Sequence, residues 1–362
     1  MASEAENRQA FRVQEHWCAK MGAPIYAAMC AGLATGLTRE SRTGARVLDW
    51  AGEPTRDALP LRLMGGLHAL VRTRADAELA RVFAGDLGHV DAVLARVLVE
   101  HDAALLPWLD GPPQTNEPGR SAGLITGLIV VARWVGPRLE LLEIGSSGGL
   151  NLLIDRYRFD LGGAVVGPVG SPVTIAPEWL GEPPEVPPLG IIGVRGCDVR
   201  TLDVTDPAVE ARLAAYVWAE KPERLARLAT AIGMVRERGV RLDQADAADW
   251  VKARLAERQE EGVCRVLMHS VVWQYLPEPV AARIRAAMAA AGARATAARP
   301  LAWVAMEPDR AVGEMMVSVR SWPDGDAWEV VATAHAHAAW VRPGGAEGLD
   351  SAMLEGASRV VL

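Results

Sequence analysis

Residues 139–157 read LELLEIGSSGGLNLLIDRY, and the meaning of the Gly-Ser burst at their centre decides the fold. A short apolar run, RLELLEI, closes on the acid Glu143. Small residues follow, and a second apolar run, GLNLLIDRY, resumes with a different rhythm. Strand, tight turn and helix in that order form the opening unit of an α/β sheet. The burst itself has three readings: a cradle for a charged small molecule, the elbow that presents a nucleophilic serine, or only a turn between two elements.

Upstream of it the chain reads as helices. DAVLARVLVEHDAALLPWL puts Val90, Val93, Leu94, Val97 and Leu98 on one stripe, and no period-2 run of β-branched residues interrupts residues 5–110. DGPPQTNEPG (110–119) is punctuated as a linker, and a helix is expected from about Pro118 to Val135, stopped by Gly136-Pro137. Downstream, strands and helices alternate. LGIIGVRGCDV, VRLDQAD, CRVLMHSVV and PLAWVAME read as strands, with helices opened by Asp206-Pro207, Pro222 and Pro277. MMVSVRSW and EVVATAHAHAAWV read as a closing antiparallel pair. Residues 158–190, rich in Gly and Pro, read as an irregular insertion with SPVTIAPEWL as a candidate hairpin. The expected architecture is a helical domain over 1–112 and, over 113–362, an α/β domain with a seven-stranded sheet covered on both faces.

In an open α/β sheet, ligands bind outside the carboxyl ends of the strands. Glu143, Asp198, Asp246 and His269 close the first four strands in turn, so four polar residues are expected along one rim. Each alone reads more readily as a solvated strand end, and the four together point to a site. Gly145, Ser147 and Gly149 fall at positions 1, 3 and 5 of the turn, where small residues admit a ligand and a following helix N-terminus offers free N–H groups. A dinucleotide fingerprint would need glycine at position 6, which is Leu150. The elbow G-x-S-x-G matches with Ser147 as nucleophile, but it would have to follow earlier strands of its sheet, and the preceding residues are helical. S-adenosylmethionine fits the strand ends better. A Gly-rich turn suits its amino-acid part, an acid after the second strand (Asp198) its ribose diol, and an acid after the third (Asp246) its adenine amine.

The stretches TNEPGRSAGL, LLEIGSSGGLNLLIDRYRFD, GCDVRTLDVTDP, KPERLARL, MHSVVWQYLP and AHAHAAWV together resemble the family DUF2332, over about residues 11–342. That family is similar to class I S-adenosylmethionine-dependent methyltransferases. The resemblance implies a Rossmann-like methyltransferase sheet, with Glu143, Gly145, Ser146, Ser147, Gly149 and Asn151 at the first motif, Asp198 and Val199 at the second, and Asp246 and Ala247 at the third. Ser147 stands where such motifs carry a middle glycine. The resemblance names no methyl acceptor.

Other candidates each have a plain reading beside the functional one. Asn116, Glu117 and Arg120 enter the helix before the first strand, as caps or as contacts to the methionine moiety or substrate. His269 is a candidate base for the acceptor, or a hydrogen-bonded strand end. Tyr275 is a candidate aromatic contact to a sulfonium, whereas Trp273 reads as packing. His335 and His337 share a face of an expected strand, but no third metal ligand has matching spacing, so no metal is expected.

Bulk properties bound the rest. The chain has 362 residues, half of them apolar, and a net charge of −7, which argues against a nucleic-acid surface. Its basic residues are nearly all Arg, the usage of a GC-rich genome. The longest uncharged apolar stretches, near 24–37 and 121–132, fall short of the ~18 residues a membrane span needs. Cys18, Cys30, Cys197 and Cys264 form no C-x-x-C pair and read as free thiols in a cytoplasmic protein. The sequence thus points to methyl transfer from S-adenosylmethionine to a small molecule, with a Ser147 hydrolase and a non-catalytic nucleotide-binding protein of the same fold as alternatives.

Overall fold

Ser3 accepts the Glu6 amide while the Glu6 carboxylate accepts the Ser3 amide, and this capping box starts the first helix. The structure, a computed structural model, describes residues 2–309 and 312–344. The last part of the expected second domain, 345–362, lies outside those residues. Two compact units divide the chain: Met1–Thr115 with Asp206–Ala229, and Asn116–Thr205 with Thr230 onward.

The first unit is helical. It contains α1 (Glu4–Lys20), α2 (Pro24–Gly36), α3 (Arg42–Leu48), α4 (Leu59–Arg72), α5 (Ala77–Phe83), α6 (Val90–Glu100) and α7 (Asp102–Leu105). Of the expected α6 stripe, Val93, Leu94, Val97 and Leu98 are buried in a core with Phe11, Met29, Leu33, Leu63 and Leu67, and Val90 is partly buried against it. Asp76 caps α5 through the Leu79 amide (2.8 Å) and takes both Arg96 guanidinium nitrogens (2.8 and 2.9 Å). Arg96 thereby holds the Asp76 carboxyl far below its usual range. Its stabilisation is present above the unfolded-state value of 3.8 and is lost as pH falls through the lower folded value. With Arg96 one-third exposed, D76A is expected to cost about 2 kcal/mol and D76N, which keeps an acceptor for the cap, about half of that, in denaturant unfolding at pH 7.

The second unit begins with a 3₁₀ turn, Pro118–Arg120, that runs into α8 (Ser121–Val135), where Gly136 at φ 99° ends the helix. The strands are β1 (Arg138–Ile144), β2 (Arg158–Leu161), β3 (Ala164–Val166), β4 (Thr174–Ile175), β5 (Glu178–Trp179), β6 (Gly190–Asp198), β7 (Leu242–Gln244), β8 (Cys264–Ser270), β9 (Leu301–Asp309), β10 (Glu314–Trp322), β11 (Gly325–Ala334) and β12 (Trp340–Pro343). Between β6 and β7 run α9 (Pro207–Tyr216) of the first unit and α10 (Pro222–Arg238), which passes from the first unit to the second. After β7 comes α11 (Ala247–Ala256) and after β8 comes α12 (Glu278–Gly292).

The main sheet is mixed and nine-stranded, in the order β5-β12-β11-β10-β9-β8-β1-β6-β7, rather than seven-stranded. The two extra strands have a local cause. EVVATAHAHAAWV is broken by a turn in which the Ala338 amide donates to the His335 carbonyl and Ala338 takes φ 52°. The part beyond the turn becomes β12, and β5 of the insertion pairs with it in parallel. His335 and His337 therefore lie in that turn, not on a strand, and His335 Nδ1 accepts the His337 amide. SPVTIAPEWL is not a hairpin either: β4 joins β2 in a separate three-stranded sheet while β5 joins the main one.

Five parallel strands, β7-β6-β1-β8-β9, position the site. β1 is central, with Leu141 opposite both Val194 and Val266. α8 lies close on one face because Gly123 and Gly127 leave room for Met306 and Val304. On the other face Leu142, Ile144, Leu267, Trp303 and Ala305 pack with Trp250 and Val251 of α11 and Ile284 and Met288 of α12.

Candidate functional site

From β1 the chain crosses to β6 and β7 on one side and later to β8 and β9 on the other. The strand order thus switches direction between β1 and β8, and the crevice beyond their carboxyl ends is where such sheets bind ligands. The Gly-Ser burst leaves β1 there. Gly145, Ser147 and Gly149 have φ values of 67°, 52° and 76°, so every second residue is left-handed. Ser147 pays steric strain that a glycine would not. Its conformation is fixed from β6: the Ser147 amide donates to Asp198 Oδ2 (2.9 Å) and its carbonyl accepts the Leu202 amide (3.0 Å). Ser146 is buried, donating from Oγ to the Glu143 carbonyl and from its amide to the Cys197 carbonyl.

GLNLLIDRY does not become the expected helix. Only a 3₁₀ turn forms, Leu150–Leu153. Tyr157 Oη donates to the Leu150 carbonyl (2.7 Å), and β2 begins at Arg158. The Leu150 amide, which a helix dipole would have aimed at a ligand, donates instead to Asn116 Oδ1 (3.0 Å). The glycines are also closely packed. A Cβ on Gly145 would clash with Val272, one on Gly148 with Val204, and one on Gly149 would lie 2.9 Å from Val240 Cγ2. Their lack of a side chain serves the protein's own packing in this conformation.

Beneath the bend lies a buried polar cluster. Glu143 is 1% exposed, and side chains alternate along a strand, so it faces α8 while Leu142 and Ile144 face α11 and α12. Its Oε1 accepts from Asn151 Nδ2 (3.0 Å), which also reaches Ser270 Oγ (3.3 Å) at the end of β8; Asn151 Oδ1 accepts from Ser121 Oγ (3.0 Å) at the start of α8. Glu143 Oε2 and Ser147 Oγ, both buried, have no hydrogen-bond partner among the described residues. Burial pushes the Glu143 carboxyl up to about 7, and the Asn151 and Ser146 hydrogen bonds only partly oppose this. A carboxyl so placed changes charge near neutrality.

The other sequence candidates divide. Asp198 also accepts the Arg200 amide (2.8 Å), so each oxygen already holds a backbone N–H and keeps one lone pair. Val199 beside it is 69% exposed. Asp246 caps α11 through the Ala248 and Asp249 amides, and Ala247 packs in the core. Glu117 and Arg120 are buried; Glu117 accepts the Gly119 amide and Arg120 Nε donates to the Ala336 carbonyl. Tyr275 is exposed, whereas Trp273 is buried.

His269 stands apart from the Glu143 cluster. It follows the Leu267 side of β8, toward α11 and α12, and is fully buried. Its Nδ1 donates to Glu307 Oε1 (2.6 Å), and its ring stacks on Trp273 with centroids 5.2 Å apart. Glu307 Oε1 also accepts the amides of Val272 (3.0 Å) and Trp273 (3.2 Å). The sequence reading missed Glu307, Ser270 and Ser121. Glu307 ends PLAWVAME, the stretch that reads as the fifth strand, so the strand-end rule that selected the other acids would have found it. Among the described residues one group of three potential metal ligands occurs, Asp76, Glu100 and His101, and Arg96 already bridges its two carboxylates.

Residues 8–342 match the family described as "Uncharacterized protein conserved in bacteria (DUF2332)". No curated protein and no solved structure matches the chain.

Proposed function

The chain belongs to the DUF2332 family, and from that premise we propose that it binds S-adenosylmethionine at the β1–β8 switch point and transfers its methyl group to a small-molecule acceptor. The observation that carries this reading is the order β7-β6-β1-β8-β9, with the Gly-Ser bend after β1, Asp198 at the end of β6 and Asp246 after β7. The two orphan buried oxygens, Glu143 Oε2 and Ser147 Oγ, suit the polar amino-acid end of the cofactor. When bound, the cofactor supplies an activated methyl group. The chain's own residues hold and orient it: Asp198 through its remaining lone pairs toward the ribose diol, and Asp246 toward the adenine amine. Glu117 and Arg120 fix the entry of α8. His269, polarised by Glu307, keeps Nε2 as a proton acceptor. Proximity and orientation supply ~7–11 kcal/mol of such a barrier, so placing the acceptor is the main task. The same reading puts this work in the cytoplasm, in keeping with four free cysteines. Among the described residues no helix is long and apolar enough to cross a membrane.

Calorimetric titration with S-adenosylmethionine and S-adenosylhomocysteine tests this. D198A is expected to weaken binding about 10- to 100-fold, the loss of a charged hydrogen-bond partner; equal affinity of D198A and the unsubstituted chain would remove Asp198 from the site. A non-catalytic binding protein is the second reading, favoured by the side chains that fill the glycine cradle. The Ser147 hydrolase is the weaker one, because among the described residues Ser147 Oγ has no hydrogen-bond partner; labelling of Ser147 by a fluorophosphonate would revive it.

A further inference from the structure

Val271–Trp273 is an unusual segment at the mouth of the switch point. Val271 has φ 56°, a left-handed conformation in which a β-branched side chain is strained. The residue is held there by the hydrogen bond its amide donates to the Met306 carbonyl (3.0 Å). Val272 rests directly on Gly145, covering the backbone that a ligand at the bend would approach. The next two amides, Val272 and Trp273, both donate to one oxygen of Glu307. That carboxylate is 2% exposed, and among the described residues neither its second oxygen nor His269 Nε2 has a hydrogen-bond partner. Trp273 is anchored separately, stacked on His269 and edge-on to Trp303 (5.4 Å).

Strain at one residue, a side chain filling the cradle, and a latch on a buried acid make a two-position element. We propose that Val271–Val272 is a gate. In the closed position Val272 plugs Gly145 and Glu307 latches the amides. In the open position Val271 leaves its strained conformation, Val272 withdraws, and the bend becomes accessible while Trp273 keeps its packing. The proposal rests on the cofactor reading for what enters, but the opening itself is a property of the chain. Binding then requires the open form, and the apparent affinity is reduced by the open fraction.

Hydrogen exchange of the Val272 and Trp273 amides, read residue by residue, reports the opening. Calorimetry with S-adenosylhomocysteine on the same proteins reports its use. V271N relieves strain in the closed form, because asparagine tolerates left-handed φ. It is expected to slow exchange of both amides about five-fold and weaken binding by the same factor. V272A removes the plug and is expected to speed exchange and tighten binding about five-fold. Exchange unchanged in both variants would overturn the gate, even if the ligand binds all three proteins. Exchange that moves as stated while no protein binds the ligand would uphold the gate and overturn the cofactor reading.

Discussion

E143Q is expected to be more stable than the unsubstituted chain at pH 8 and close to it at pH 4.5. Burial raises the folded Glu143 carboxyl to about 7 from 4.5. Between those values the folded chain binds more protons than the unfolded one, so stability falls as pH rises through that window. The full shift corresponds to about 3 kcal/mol. Glutamine mimics the protonated acid and can still accept from Asn151, so it escapes that loss. Denaturant unfolding at a series of pH values checks this: the difference between E143Q and the unsubstituted chain is expected to grow by about 3 kcal/mol across the window. A difference that stays flat would mean that Glu143 is solvated or paired in a way that contradicts the geometry of the cluster.

N151A is expected to destabilise by about 3 kcal/mol at pH 8. Asn151 is buried and joins Ser121, Glu143 and Ser270, so its removal strips α8, β1 and β8 of a shared partner. The Asn151 hydrogen bond is also the larger of the two that oppose the upward push of burial on the Glu143 carboxyl. Without it the carboxyl rises further, and the loss of stability at high pH deepens. The cost is therefore expected to be smaller at pH 5, and smaller again in the E143Q background, a coupling that a double-mutant cycle measures. Additive effects of the two substitutions would separate Asn151 from Glu143.

Strand–helix alternation was readable where strands are bounded by Gly and Pro and where apolar residues run uninterrupted, as in LGIIGVRGCDV and CRVLMHSVV. The helical stripes of the first unit were readable for the same reason. Local pattern failed where a tertiary hydrogen bond decided the outcome. GLNLLIDRY has the spacing of a helix, but Asn116 and Tyr157 claim the polar groups of Leu150 that would have started it. EVVATAHAHAAWV reads as one strand because nothing in the sequence marks the turn at Ala338, a non-glycine residue in a left-handed conformation. The strand-end rule found Glu143, Asp198, Asp246 and His269, but it treats a strand end as a rim. Alternation along the strands sends Glu143 and His269 to opposite faces, and only the pairing of Glu143 with Met268 fixes that parity. The partners Ser121 and Ser270 were invisible because a serine at an element's end carries no periodic signal.

The proposed adenosyl ligand sits beyond the carboxyl ends of β1 and β8. Hydrogen–deuterium exchange with and without S-adenosylhomocysteine maps that most directly. Protection is expected to concentrate on residues 145–150 and 198–202, while the Val272 and Trp273 amides, released from Glu307 in the ligand-bound open form, exchange faster. Protection confined to residues 4–105, or none at ligand concentrations that saturate a methyltransferase, would contradict it.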